Sequence, residues 1–265
     1  MTTTPGHEII AVKFAQHHRG TRFEFFHGSA AQPLDDPAYI DYFVWAIRSP
    51  ERTIVVDAGY LPDVAKRRNR PDYYRTPSEA LALAGVDCAT VSHLILSHLH
   101  YDHTGDLAPF TSAKLVVQDA ELAFWTGRHA HRREFLRQIE PGDVLEVARL
   151  GFEGRVRFVD GDAEIVPGVT VHRLGGHTPG MQVVRVETAS GPIVLASDAS
   201  HRHDNIGQDA PAAVFTDLAA MYDGFDRMIE LAGGDLARVI PGHDPGLLES
   251  IPALPGLDGI AGRVA

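Results

Sequence analysis

Cysteine is almost missing from this chain. Cys88 is the single one in 265 residues, so no internal disulfide can form and no oxidising compartment is called for. Flanked by Asp87 and Ala89, it reads as a small buried or half-buried side chain at a helix start. No apolar run approaches the ~20 residues that cross a bilayer, so no membrane partner is expected. The opening Met1-Thr2-Thr3-Thr4-Pro5 has neither the basic nor the apolar region of a secretory leader. A cytoplasmic protein is the expectation. Positive charge is scarce as well: 24 Lys and Arg face 35 Asp and Glu, a formal charge of −11. Nucleic acid and anionic membranes are held by basic patches, so nucleic acid is not expected as a partner either. There is no linker, no internal repeat and no low-complexity stretch. Residues 1–265 therefore read as a single domain, long enough for a large α/β core.

What is abundant is histidine, 15 in all. Three of them share six residues with a carboxylate: His98-Leu99-His100-Tyr101-Asp102-His103. The apolar run Leu94-Ile95-Leu96 precedes them and Thr104-Gly105-Asp106 follows, the pattern of a strand ending in a tight polar loop. Imidazole and carboxylate are accepted by zinc and other first-row divalent metals. Side chains at i and i+2 of an extended segment point the same way, so His98 and His100 can share one metal while Asp102 and His103 turn toward another. A lone loop histidine is usually a solvated side chain, but this loop does not stand alone. His177 lies in Gly175-Gly176-His177-Thr178-Pro179-Gly180, Asp198 closes the apolar run Ile193–Ala196, and His243 lies in Pro241-Gly242-His243-Asp244. Each follows a short apolar segment, and strand ends converging on one edge are where sites are built.

The chain in order reads as alternating strands and helices. Strands are expected at Ile9–Ala15, Arg22–Phe26, Tyr42–Ile47, Thr53–Val56, Val91–Leu96 and Lys114–Gln118. Further strands fall at Arg155–Val159, Ala163–Val166, Val169–Leu174, Gln182–Val186, Pro192–Ala196 and Arg238–Ile240. Gly28–Pro37 reads as a loop, and residues 1–8 as loose. Thr76-Pro77-Ser78-Glu79 is a capping box opening a helix that stops at Gly85. Asp119 is expected to cap a helix through Trp125, Asp143–Leu150 to form another, and Thr216–Leu231 a third with an apolar stripe of Leu218, Met221, Phe225 and Ile229. The basic stretch His129–Ile139 reads as a solvated helix face in preference to an anion-binding lid. Pro245–Ala265 is expected to wrap the surface.

The loop at 98–103, the GGHTPG segment at 175–180, the strand-end Asp198 and the PGHD segment at 241–244, together with Val55-Val56-Asp57-Ala58-Gly59 upstream, resemble the motif series of the metallo-β-lactamase superfamily. Within it, the stretches around His98–Gly105, Gly175–Gln182 and Ser197–Ser200 look most like the N-acyl homoserine lactone lactonases. The resemblance runs from about Thr53 to Asp244. It implies an αββα sandwich of two mixed sheets flanked by helices. It implies a first metal on His98, His100 and His177, a second on Asp102, His103 and His243, and Asp198 bridging both. Two divalent ions follow, zinc by default, with iron, cobalt and manganese accepting the same donors. Asp57 is implied to orient the ligand loops, with Thr178 and Gly180 shaping the loop of His177.

The implied reaction is opening of a lactone ring, N-acyl homoserine lactone first, by a hydroxide held between the metals, with Asp102 moving the proton. Quorum quenching is the implied purpose. The family carries a Tyr three residues after the bridging Asp, and this chain has His201 there; an imidazole can also donate a hydrogen bond to substrate, and the change leaves the substrate open. Other lactones, esters or thioesters are the alternative, with a mononuclear iron sulfur dioxygenase behind them. Tyr101 is expected to point away from the metals, His203 to face solvent, and His7, His17, His18, His27, His93, His129, His131 and His172 to be surface or edge residues. Phe23, Phe25, Phe26, Trp45, Phe124 and Trp125 raise the question of an acyl-chain pocket, although strand aromatics are more often core. The oligomeric state stays open, a homodimer included.

Overall fold

In a computed structural model, residues 6–28 and 33–265 are described; residues 1–5 and 29–32, parts of the loose N-terminus and of the loop before Pro37, lie outside them. The described residues form twelve strands: β1 (Glu8–Thr21), β2 (Pro37–Arg48), β3 (Thr53–Val56), β4 (His93–Ile95), β5 (Lys114–Gln118), β6 (Val156–Val159), β7 (Ala163–Val166), β8 (Val169–Arg173), β9 (Gln182–Thr188), β10 (Gly191–Ser197), β11 (Val239–Pro241) and β12 (Ala261–Arg263). They build a seven-stranded sheet ordered β12-β1-β2-β3-β4-β5-β6 and a five-stranded sheet ordered β11-β10-β9-β8-β7. Both are mixed: β3, β4, β5 and β6 run parallel, as do β10 and β11, and the remaining pairs are antiparallel.

Side-chain alternation divides the apolar residues among three layers. Successive strand residues point to opposite faces. Ile9, Ala11, Phe43, Trp45, Ile47, Ile54, Val56, Ile95 and Val116 therefore face the other sheet, meeting Val169, Val171, Val184, Val186 and Leu195. Their neighbours Ile10, Val12, Val44, Val55, Leu94, Leu115 and Val117 face outward, under Leu81, Val144, Val147 and Leu150 of helices Pro77–Leu83 and Pro141–Phe152. On the far side Val183, Val194 and Ala196 are covered by Phe225, Met228 and Leu231 of helix Leu218–Leu231. The order is helix, sheet, sheet, helix: the αββα sandwich expected.

The topology gathers the site at one edge. Parallel strands send their C-terminal loops to the same side, where open α/β sheets build sites. Asp57 follows β3, the 98–103 loop follows β4, Asp198 follows β10 and His243 follows β11. Because β9 runs antiparallel to β10, its start and the end of β8 lie at this same edge, which brings Gly175–Gly180 there. Buried glutamines clamp the sheets beneath. Gln182 donates Nε2 to the Leu96 carbonyl (2.8 Å) and accepts from Gln118 Nε2 (2.8 Å).

Several local expectations are corrected. Arg22–Phe25 is a short helix, not a strand, and β1 is longer than Ile9–Ala15. Gln118, not Asp119, is the N-cap of Asp119–Trp125. Pro141 does not merely break what precedes it; it is the first residue of helix Pro141–Phe152, where its missing N–H costs nothing. In the basic stretch only Arg133–Leu136 is helical, and most of it is exposed. The C-terminal segment does more than wrap the surface, because β12 pairs antiparallel with β1 at the sheet edge. His7 and His17 are buried rather than superficial.

Candidate metal centre

Asp198 is the hinge of the site, and its two oxygens face different ways. Oδ2 lies 3.8 Å from His98 Nε2, 3.3 Å from His177 Nε2 and 3.0 Å from His201 Nε2. Oδ1 lies 3.3 Å from His103 Nε2 and 2.9 Å from His243 Nε2. His100 Nδ1 completes the first side, 2.9 Å from His177 Nε2. Asp102 completes the second, with oxygens 3.7 Å from His103 Nε2 and 3.9 Å from His243 Nε2. The donor atoms of His98, His100, His177 and Asp198 all lie within 4.8 Å of one another, and so do those of Asp102, His103 and His243. The structure thus brings together, in two adjoining groups, all seven residues that the sequence marked as ligands. These five histidines and Asp198 are buried; Asp102 keeps 11% of its side chain exposed, in the wall of a cavity of about 120 Å³.

The backbone around these residues is specialised. Asp57, after β3, has φ +64°, and Ser197, before Asp198, has φ +44°, a left-handed conformation that is costly for residues with a Cβ. The turns are held where they are because each satisfies neighbours. Asp57 accepts from Ser97 N (2.8 Å), Ser97 Oγ (2.9 Å), Ser197 Oγ (3.2 Å) and His103 Nδ1 (2.8 Å). Gly242 is required before His243, since a Cβ there would stand 2.7 Å from the Ser197 carbonyl carbon.

Hydrogen bonds behind the rings set their tautomers. His177 Nδ1 faces the Val214 carbonyl (2.7 Å), His243 Nδ1 the Asp41 carbonyl (2.7 Å) and His103 Nδ1 the Asp57 carboxylate. An Nδ1–H donated outward leaves the Nε2 lone pair turned inward, the arrangement that metal-ligating histidines use. His98 Nδ1 is 3.0 Å from Ser97 Oγ.

The inward atoms are left over. His98 Nε2, His103 Nε2 and Asp198 Oδ1 are buried without a hydrogen-bond partner, which is costly for polar groups. Protons satisfy them poorly. Burial, reinforced by neighbouring imidazoles, pushes His98 and His100 far below the usual histidine range. At His103 burial opposes the charge, but Asp198, Asp57 and Asp102 outweigh it and raise the pKa. Lone pairs that converge and carboxylates that draw positive charge are what divalent cations satisfy, so the donor set fits metal ions.

Two features were not legible beforehand. Glu121, on helix Asp119–Trp125, is buried, and its carboxylate accepts from Leu99 N (2.9 Å), Trp125 Nε1 (2.6 Å), Thr178 Oγ1 (2.7 Å) and Gly180 N (2.9 Å). It ties the 98–103 loop to the His177 loop. An apolar-spaced helix with one Glu gave no hint of this. The other is Arg70, on the wall of the metal cavity. Tyr101 has no polar contact to the clustered histidines; its hydroxyl is 3.3 Å from that of Tyr42 and its ring lies under Arg68, yet it lines the cavity. His203 is exposed and paired with Asp244 at 2.9 Å. Trp45 and Trp125 are core, whereas Phe23 and Phe26 line a second cavity beside the first.

A sandwich whose sheet edges carry two adjoining histidine-carboxylate groups defines the class to which this protein belongs. A family model described as the metallo-beta-lactamase superfamily matches residues 41–243, and the chain is a member of that superfamily. An N-acyl homoserine lactonase from a Bacillus species is 29% identical over 236 residues, covering 82% of this chain and 88% of that protein. Among solved structures, a quorum-quenching N-acyl homoserine lactone lactonase matches with TM-score 0.74 at 21% identity, over 95% of this chain and 98% of the other. AidC, a dizinc quorum-quenching lactonase in complex with a product, matches with TM-score 0.72 at 19% identity, over 91% and 88%. At such identities the structures speak for the fold. Among the described residues no helix is long and apolar enough to cross a membrane.

Proposed function

We propose that this protein is a dinuclear metal-dependent hydrolase that opens the ring of a lactone, of the N-acyl homoserine lactone class. The observation that carries the reading is the division of Asp198: one oxygen faces His98 and His177, the other His103 and His243, with unsatisfied inward nitrogens on both sides. His98, His100 and His177 would hold one ion, Asp102, His103 and His243 the other, and Asp198 both. Zinc suits the nitrogen and oxygen donors. Two bound divalent ions supply a water acidified toward pKa ~7 and a clamp for the charge that develops in the displacement.

The remaining work falls to the chain. Asp102, partly exposed to the cavity, takes the proton of the attacking water and returns it to the ring oxygen as the acyl–oxygen bond breaks. The products are one alcohol and one carboxylic acid, which releases a proton at neutral pH. His201 Nε2 contacts Asp198 Oδ2 at 3.0 Å while its Nδ1 is buried without a partner. Burial lowers its pKa, so it works as a neutral ring. With Nε2–H given to Asp198, Nδ1 is an acceptor; donation to a substrate carbonyl uses the other tautomer. Either way His201 acts beside the bridge, in the position of the family Tyr.

The test is proton release by metal-analysed protein on a panel of γ-lactones, including short and long N-acyl homoserine lactones. Rapid opening with about two metals per chain is the expected result. Silence on every lactone with both metals bound would overturn the substrate class and move the reading to another ester or thioester.

A further inference from the structure

Next to the metal cavity lies a larger one of about 530 Å³, and Arg70, Tyr101 and Val214 wall both. Its apolar side is Phe23, Phe26 and Leu34; its polar side carries Arg68, Arg70 and Arg137 against a single carboxylate, Glu24. In a chain of net charge −11 this is a positive island.

The three guanidinium groups are not equivalent. Arg68 stacks 3.8 Å above the Tyr101 ring, pairs with Glu140 at 2.9 Å and donates to the Arg137 and Ile139 carbonyls. Arg137 is held by Glu134 at 3.1 Å. Arg70 is different. Among the described residues no carboxylate lies within 4.0 Å of it; its hydrogen-bond contacts are to uncharged groups, His17 Nε2 at 3.0 Å and the Tyr101 hydroxyl, and its Nε is buried with no acceptor. Glu24, the carboxylate in the same wall, is 3.5 Å from His17 instead. A half-buried guanidinium whose contacts are all uncharged bears a desolvation cost that a ligand oxyanion relieves, because charge-assisted and bidentate contacts are the strong ones.

We infer that the larger cavity receives the acyl arm of a lactone that ends in a carboxylate, with Arg70 as its anchor. This rests on the lactonase reading above. The phenyl rings cover the methylene spacer. Arg68 and Arg137 supply the local positive field that lets an anion approach an acidic protein. Of the basic residues between 128 and 137, Arg137 alone lines this cavity, so an anion-binding role attaches to that one side chain and not to the stretch as a lid.

The test compares N-hexanoyl- and N-(5-carboxypentanoyl)-homoserine lactone, which differ in a terminal methyl against a terminal carboxylate. The metal-loaded protein is expected to favour the carboxylated lactone by about tenfold in kcat/KM, mostly through KM, and the preference should shrink with added salt. Arg70→Met is expected to bring the ratio to about one, and Arg70→Lys to keep part of it, since a point charge replaces a fork. Metal content and melting temperature check that both variants fold. Equal kcat/KM on both lactones, or an unchanged ratio in Arg70→Met, overturns the anion site and leaves the lactonase reading intact. No turnover of either lactone, with the rest of the γ-lactone panel silent as well, overturns the lactonase reading; calorimetric binding of ring-opened N-(5-carboxypentanoyl)-homoserine to wild type and Arg70→Met then decides the anion site, with about tenfold tighter binding by wild type supporting it and equal binding overturning it.

Discussion

Removing the Glu121 carboxylate should unload one metal position more than the other. Its Oε1 accepts from Leu99 N and Trp125 Nε1, and its Oε2 from Thr178 Oγ1 and Gly180 N. Leu99 stands between His98 and His100, and Thr178 follows His177. All three flanked histidines belong to the first group; His103 and His243 are braced by Asp57 and the Asp41 carbonyl instead. In Glu121→Ala four buried donors lose their acceptor. At ~1–3 kcal/mol for each one left dry, less whatever water fills the gap, a loss of about 4 kcal/mol is expected, a fall of roughly 10 °C in melting temperature for a chain of this size. Glu121→Gln should cost less. With its NH2 on the Oε2 side it can donate to the Thr178 hydroxyl, and only the Gly180 N–H is left facing another donor, for ~1–3 kcal/mol. The distinguishing readout is metal stoichiometry under competition with a chelator. Loss of a carboxylate that braces ligand loops typically costs 10–100-fold in metal affinity, so Glu121→Ala should move from about two ions toward one before the wild type does, and Glu121→Gln should recover part of the difference. If Glu121→Ala held both ions with unchanged affinity, the coupling of this carboxylate to the first group would be refuted even if stability fell.

The ligand assignment predicts that His98→Ala and Asp198→Ala each lose metal and activity together, measured by metal analysis beside lactone turnover; full metal content in either would overturn it. Chelation of both ions should lower the melting temperature, since a ligand at a thousand times its Kd stabilises by ~4 kcal/mol, and re-addition should restore it. Gly242→Ala should destabilise by ~1–3 kcal/mol and loosen metal binding, because its Cβ would meet the Ser197 backbone at 2.7 Å. Asp143, whose buried Oδ2 has no partner, has its pKa pushed up to about 7 by burial, with Glu140 and Asp63 adding to the effect. The folded state therefore holds a proton that the unfolded chain, at ~3.9, releases earlier. Stability should fall as pH rises from about 4 to 7. Allowing for partial exposure, Asp143→Asn should match wild type near pH 4 in urea unfolding and exceed it by ~1–2 kcal/mol at pH 8. A parallel pH dependence in the two proteins would refute this.

The sequence alone marked most of the strands and the residues that gather at the site, and its resemblance to a known family implied the layers and the proposed ligands. Strand periodicity at Thr53–Val56 and Lys114–Gln118, the capping box at Thr76, and histidines or Asp at the ends of apolar runs are local signals, and each is written within a few residues. The short elements were less legible. Arg22–Phe25 has strand-forming residues yet turns as a helix at the end of β1, and the basic 129–139 stretch is mostly turns because it buries too little apolar surface to sustain a helix. Only the tertiary structure decided which carboxylates and cations act on the site. Glu121 reaches loops 22 and 57 residues away in sequence, the two oxygens of Asp198 divide between histidines from different strand ends, and Arg70 stands beside the metal cavity with no carboxylate of the described residues within 4.0 Å. The physical reason is that hydrogen bonds and charges act through distance in space, and the edge where β3, β4, β10 and β11 meet is created only when the two sheets pack.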